Sequence, residues 1–481
     1  MDIRHRGLLE GLAETAAGHP SKALLGDERG WMDAGSVHTA VLRTGSALRA
    51  MGLGRGKMVA LRAHRTAQTS VMLLGLRASG ATAVLTDPRL EVPAALAEAD
   101  VPGDIFAGIE QTGEDTFRIS LAGAEHELDL KALPAETDTP IFTDPMDPAF
   151  VIFTSGSTGK SKAVVLSEWN LVANLVDSFP LGDYREDDLA LGALPLHHVF
   201  GLVLLCGMAV LGYGVYFPEK TDVESLLHAI ESRRLTRMNG VPALYLKMAE
   251  KMGRYDLSSL RTGFIGGGPV TEEQFFYLEK TLQMTLIPVY GMSECIGISC
   301  ASYRDPGKVR ATSVGRFYSM NRGVILREDG TEAERGESGE ICVDGPSRSP
   351  GYLGQDTISG GLLHTGDLGY VDEKGYLHLS GRKKDVIIRN GNNLSPLKIQ
   401  RAILALPGVK DAVVVGIGDA REGEVPAAMV VAEDGVREIH PALPKNELPA
   451  VCMFVSALPM TSSGKPDTLR IREVLKTCRS L

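Results

Sequence analysis

Residues 58–86 carry the pattern that most limits the fold of this chain. Met58-Val59-Ala60-Leu61-Arg62-Ala63 is a short apolar run. Residues 65–80, RTAQTSVMLLGLRASG, read as a helix, and residues 81–87, ATAVLTD, as a second strand. Two strands joined through a helix form a βαβ unit, and repeats of that unit build parallel sheets covered by helices. The alternation continues to about Ile287. Strands are expected near Leu189 to Leu194, Tyr213 to Phe217, Thr236 to Asn239, Thr262 to Ile265 and Thr285 to Tyr290. Helices are expected from Val199, Asp222 and Pro242, and from Thr271 to Leu282.

After Arg304 the pattern changes. Short strands with Gly and Asp turns appear at Gly323 to Leu326, Gly339 to Val343 and Gly375 to Leu379, which reads as a small β-rich subdomain over about 305–380. Gly381-Arg382-Lys383-Lys384-Asp385 is a charged break. Beyond it come strands at Ala412 to Ile417 and Ala427 to Val431 and a terminal helix from Pro466, long enough together for a small separate domain. The expected fold is therefore α/β: a large N-terminal domain of stacked α/β sheets with a β-rich part, and a small α+β C-terminal domain. The expected division is 1–383 and 384–481.

Composition removes several function classes. The net charge of −10 argues against a non-specific nucleic-acid binder. The six cysteines form no C-x-x-C pair, which suits reduced thiols and a cytoplasmic protein. The N-terminus has no apolar core of signal-peptide length. Residues 199–217 form a charge-free run of 19 residues, but four glycines interrupt it. A helix and a strand, broken at Leu211-Gly212, account for it without a membrane span.

The stretch FTSGSTGKSK, residues 153–162, has the chemistry of a phosphate loop. Gly156 and Gly159 let backbone N–H groups turn inward, Thr154, Ser155, Ser157 and Thr158 add hydroxyls, and Lys160 and Lys162 add charge. It is not a Walker A loop. The glycine required five positions before Gly159 is absent, Thr154 standing there. The loop also runs into Ala163-Val164-Val165-Leu166, a strand, with the next helix capped only at Ser167.

Four other stretches have fitting chemistry. Tyr290-Gly291-Met292-Ser293-Glu294 ends a strand where open α/β sheets bind ligands, and Glu294 there could hold Mg²⁺ carried by phosphates. Asp367 in Thr365-Gly366-Asp367 suits a ribose diol. Arg382 offers a planar fork, and Lys465 lies in Ser462-Ser463-Gly464-Lys465. Singly, each has a plainer reading: Asp367 an Asx turn, Glu294 and Lys465 solvated surface charges.

Together and in this order, FTSGSTGKSK, YGMSE, TGDLGYVDEKGYLHLSGRKKD, NGNNLSP and SSGKPD resemble the signature motifs of the adenylate-forming enzymes. These are acyl- and aryl-CoA synthetases, peptide-synthetase adenylation domains and luciferases. The resemblance spans nearly the whole chain. It implies ATP-dependent activation of a carboxylic acid to an acyl-adenylate, then transfer to a thiol, usually that of CoA. It also implies a C-terminal domain that rotates between the two steps.

The resemblance implies roles residue by residue. Thr154, Ser155, Gly156, Ser157, Thr158 and Gly159 hold the β- and γ-phosphates, with Lys162 nearby. Glu294 positions Mg²⁺. Asp367 takes the ribose hydroxyls and Arg382 the ribose or phosphate. Gly267, Gly268, Tyr290, Gly291, Met292 and Ser293 border adenine and the acyl group. Lys465 bridges the α-phosphate and the attacking carboxylate, and Lys384 is the hinge. Ser161 and Ala163 stand where the family usually has Pro and Gly. Lys398 and Gln400 replace two usual glutamates, which bears on the thiol step.

The stretch LPLHHVFG, residues 194–201, supplies histidines and apolar groups where amino-acid-activating relatives place an aspartate. An uncharged-tail acid is expected. The wording, with His198 as a catalytic candidate, resembles fatty acyl-CoA synthetases most, and aryl or succinylbenzoate ligases are the alternative. A carrier protein in place of CoA also stays open.

Overall fold

The computed structural model describes residues 6–90, 96, 105–121, 123–135, 139–154, 161–355, 361–419, 421–460 and 466–479. The βαβ unit forms as expected: Met58–Arg62 and Thr82–Thr86 pair in parallel and flank the helix Ala67–Ser79. Every residue of that helix is buried. It packs against the helix Ala34–Ala50 and against strands of two different sheets, so it lies between layers and buries its polar residues too, Arg77 Nη2 donating to Thr143 Oγ1 at 2.7 Å. Burial of Leu73, Leu74 and Leu76 contributes about 1.5–3 kcal/mol each.

One sheet has nine strands. Six run parallel, in the spatial order Thr285–Met292, Thr262–Ile265, Arg237–Met238, Leu189–Leu191, Gly214–Tyr216 and Ala23–Asp27. The expected alternation is therefore right, but both edges are closed by antiparallel strands. The second sheet has eight strands. Its parallel centre continues at one side into the antiparallel run Ile105–Gln111, Thr116–Leu121, Ala124–Asp129. At the other side it carries the hairpin Pro148–Thr154 and Lys162–Ser167.

Local signals set the helix starts. Ser167, Asp222 and Thr271 accept hydrogen bonds from backbone N–H groups as N-caps. The charge-free run divides as expected: the helix Val199–Leu211 stops at Gly212 with φ 74°, and the strand Gly214–Tyr216 follows. Among the described residues no helix is long and apolar enough to cross a membrane.

The β-rich part is a four-stranded antiparallel sheet of Arg322–Leu326, Gly339–Asp344, Leu363–Val371 and Leu377–Arg382. Its last strand begins two residues later than expected at Gly375. Asp372 and Gly375 close a turn first, with Gly375 N–H donating to Asp372 O at φ 85°. The small C-terminal domain is built on Val409–Asp419 paired with Gly423–Ala432 and covered by the helices Pro396–Leu404 and Thr468–Arg479. The last helix starts at Thr468 rather than Pro466, and all six cysteines are free thiols.

Candidate active site

The carboxyl ends of the two parallel blocks meet. Arg65, just after Met58–Arg62, donates from Nη1 to Ala193 O at 2.6 Å, just after Leu189–Leu191. His197 Nε2 lies 4.0 Å from Asp87 Oδ2, which follows Thr82–Thr86. Ligands of open α/β sheets bind at such edges.

The stretch around residue 154 is strand, loop, strand. Thr154 and Lys162 are cross-strand partners in an antiparallel pair, so no helix follows the loop and a Walker geometry is excluded. Ser155, Gly156, Ser157, Thr158 and Gly159 lie outside the described residues. The hairpin that presents them is described at both ends.

Glu294 sits at the tip of a two-residue turn. Met292 and Cys295 pair across the strands Thr285–Met292 and Cys295–Cys300, leaving Ser293 and Glu294 between them. Gly291 is required there, because a Cβ would stand 2.2 Å from Ile296 O on the facing strand. The Glu294 carboxylate accepts from the Tyr352 hydroxyl at 2.9 Å. Tyr352 belongs to a two-residue strand, Gly351–Tyr352, laid against Val164 and Val165. Lys162 Nζ stands 4.8 Å from the Tyr352 ring centroid. One tyrosine thus ties the phosphate-loop hairpin to the Glu294 turn. Burial, reinforced by the Glu294 charge, pushes its phenol pKa up, so it stays a donor.

Asp367 and Arg382 face each other across Leu363–Val371 and Leu377–Arg382. Asp367 Oδ1 takes Arg382 Nε at 2.9 Å, and Oδ2 accepts from the Tyr290 hydroxyl at 2.8 Å. The Asx-turn reading does not describe this carboxylate. The turn bond is made by Thr365 Oγ1, which accepts from Asp367 N–H at 3.1 Å. Asp367 is 8% exposed, whereas the Arg382 side chain is 54% exposed. A buried acceptor beside an exposed fork is an arrangement a diol can share. Tyr290, at the end of its parallel strand, is likewise kept protonated by burial and by the Asp367 charge.

Gly267 and Gly268 are exposed just beyond Thr262–Ile265, Gly267 with φ 80°. The two histidines separate. His198 is the N-cap of Val199–Leu211 and half-buried, while His197 is largely buried, its ring centroid 4.5 Å from that of His198. Burial holds the His197 pKa down at about 4, and its Nδ1 has no hydrogen-bond partner among the described residues. His197 is therefore neutral throughout the physiological range. Lys384 lies in the short helix Lys383–Asp385 directly after Arg382. Lys465 lies outside the described residues; Met460 and Pro466, which flank it, form an isolated bridge.

The two departures have local partners. Lys398 Nζ donates to Glu447 Oε1 at 2.6 Å, and Gln400 Nε2 to Ala412 O at 2.7 Å. Both bonds fasten the helix Pro396–Leu404 within the C-terminal domain. Tyr352 is the residue that the motifs did not single out. Its only signal is the Gly351-Tyr352 pair after a Ser/Pro stretch.

The two sheet edges, the strand pair that meets at Thr154 and Lys162 and the two carboxylates held by tyrosines fit the adenylate-forming class. Residues 12–353 match the model of the AMP-binding enzyme family, and residues 398–465 that of the AMP-binding enzyme C-terminal domain. A 2-succinylbenzoate–CoA ligase of Bacillus cereus (strain Q1) is 30% identical over 469 residues, covering 92% of this chain and 93% of its own. MatB from Rhodopseudomonas palustris, bound to ATP, superposes with a TM-score of 0.85 at 25% identity over 99% of this chain and 100% of its own. The o-succinylbenzoate CoA synthetase of Bacillus subtilis, in complex with the acyl-adenylate OSB-AMP, gives 0.82 at 25% identity over 97% of both chains. The same protein with ATP and a magnesium ion gives 0.79 at 25% identity, over 97% of this chain and 99% of its own. The chain belongs to the AMP-binding enzyme family, as an acid–thiol ligase of the AMP-forming kind.

Proposed function

We propose that this ligase converts an aryl acid of the 2-succinylbenzoate class to its CoA thioester through an acyl-adenylate. The observation that carries the substrate class is the near full-length likeness to the Bacillus cereus ligase. That likeness supports the aryl alternative better than the fatty acid first expected from residues 194–201. The acid oxygen bonds to the α-phosphorus of ATP and pyrophosphate leaves. The CoA sulfur then bonds to the acyl carbon and AMP leaves.

Asp367 is positioned to accept the ribose hydroxyls, with Arg382 beside it and Tyr290 fixing its second oxygen. Glu294 is a half-buried oxygen donor, a ligand type that Mg²⁺ takes together with substrate phosphates, and the ion would offset phosphate charge there. Residues 154–159, with Lys162 nearby, would hold the β- and γ-phosphates, and Lys465 would bridge the α-phosphate and the attacking carboxylate. The working division is 1–383 for adenylation and 384–481 for the mobile domain. ATP, CoA and free thiols all suit a cytoplasmic setting.

Pyrophosphate release measured over a panel of acids, with and without CoA, tests the reading. 2-Succinylbenzoate or a near aryl relative should give the highest kcat/KM, and CoA should release AMP. Preference for a medium-chain fatty acid would restore the first expectation. AMP release that requires a carrier protein instead would replace CoA as acceptor.

Asp367→Ala should weaken ATP binding while leaving acid binding nearly intact. Hydrogen bonds to a charged group are worth about 1.5–3 kcal/mol each, so at least a tenfold rise in the Kd for ATP is expected. Calorimetric titration with a non-hydrolysable ATP analogue measures it. Unchanged nucleotide affinity would reduce Asp367 to a partner of Arg382.

A further inference from the structure

Glu340, Cys342 and His364 converge outside the site described above. Cys342 and His364 are direct cross-strand partners in the antiparallel pair Gly339–Asp344 and Leu363–Val371. Glu340 lies two residues before Cys342 on the same strand, so their side chains leave the same face. Cys342 Sγ is 3.4 Å from His364 Nδ1, and His364 Nδ1 is 3.3 Å from Glu340 Oε2. All three donor atoms lie within 4.8 Å of one another.

These separations match one coordination chemistry. Zinc takes thiolate at about 2.3 Å and imidazole or carboxylate at about 2.0–2.2 Å in a tetrahedron, which places S and N about 3.6 Å apart and N and O about 3.4 Å apart. Sulfur and nitrogen donors also select against Mg²⁺, which prefers oxygen. We propose that Glu340, Cys342 and His364 form a binding site for a borderline-soft divalent cation of the zinc type, with solvent in the fourth position.

The surroundings support the geometry. Glu340 is already oriented, its Oε1 accepting from Gly366 N–H at 3.2 Å. Hydrogen-bonded carboxylates of this kind are the better-ordered metal ligands. The competing occupant is Lys383, whose Nζ lies 3.0 Å from Glu340 Oε2. Its side chain is 58% exposed, so it can turn to water at small cost. The His364 side chain is 59% exposed, which gives an ion an entry path, while Cys342 beneath it is buried.

The experiment uses the full chain, in excess Mg²⁺, titrated with Co²⁺ and then Zn²⁺. One equivalent of Co²⁺ should give a thiolate-to-metal charge-transfer band, and one equivalent of Zn²⁺ should remove it. Cys342→Ser should abolish the band. His364→Ala changes an exposed side chain and should leave the fold intact, which circular dichroism checks. It should weaken Zn²⁺ binding at least tenfold in calorimetry. Absence of the band overturns the proposal. So does equal Zn²⁺ affinity in wild type and His364→Ala, which would assign the metal to other thiols such as Cys452.

Discussion

Lys465→Ala is expected to slow acyl-adenylate formation by about 100-fold or more, the usual cost of removing one charge-stabilising group from a transition state. The reacting carboxylate and the α-phosphate are both anions. A cation between them offsets the charge that accumulates as the oxygen–phosphorus bond forms. Lys465 is the lysine of Ser462-Ser463-Gly464-Lys465, and the described residues on either side are joined by the Met460–Pro466 bridge and by Asp467 N–H donating to Pro459 O at 2.8 Å. That bridge is made by Met460 and Pro466 and not by the lysine, so the variant should fold. Single-turnover pyrophosphate release measures the adenylation half. Thioester formation from preformed acyl-adenylate and CoA measures the other half and should fall far less. Equal losses in both halves would remove Lys465 from the adenylation chemistry.

The sequence disclosed most where chemistry is local. Thr262–Ile265 forms at the expected residues, and Ser167, Asp222 and Thr271 cap their helices through their own side chains. These features depend on residues three or four positions apart, which is the range over which a pattern can be read. The antiparallel edges were less legible. Ile105–Gln111, Thr116–Leu121 and Ala124–Asp129 pair antiparallel; Thr116–Leu121 alternates apolar and polar residues, a signal that was passed over, whereas Ala124–Asp129 is mostly polar and exposed and takes its place from its neighbour in the sheet.

The site divides in the same way. Tyr290, Glu294, Asp367 and Arg382 stand in recognisable words, and the three bonds that hold their carboxylates are cross-strand or between sheets. Tyr352 was missed because it reaches Glu294 across 58 positions from a strand of two residues. The cluster of Glu340, Cys342 and His364 was missed because no spacing announces a pair made by strand register. Lys398 and Gln400 looked like losses to the thiol step, and in the fold they are contacts of Glu447 and Ala412.

The hinge carries the second large effect. Lys384→Pro is expected to leave single-turnover pyrophosphate release near normal while thioester formation falls by at least tenfold. Domain rotation concentrates φ/ψ change in a few residues between rigid elements. We propose Lys384 as such a residue, because the strand Leu377–Arg382 ends just before it and the strand Ile387–Arg389 begins just after it. Proline would fix φ at this position near −65° and remove its N–H. It would also disfavour helical backbone at Lys383, which now lies in the short helix Lys383–Asp385 and pairs with Glu340. The polar contacts on either side are modest. Ser395 Oγ donates to Ser380 O, and Arg401 Nη1 reaches Leu379 O at 3.4 Å. Contacts of that size can be exchanged during a rotation, whereas a fixed φ at the pivot cannot. If the variant makes thioester at the wild-type rate, the pivot lies elsewhere and the boundary at 383/384 falls with it. Loss of both half-reactions would point to damage at Arg382, the last residue of that strand and two residues before the substitution, and Lys384→Ala, which leaves φ free, would then separate the two causes.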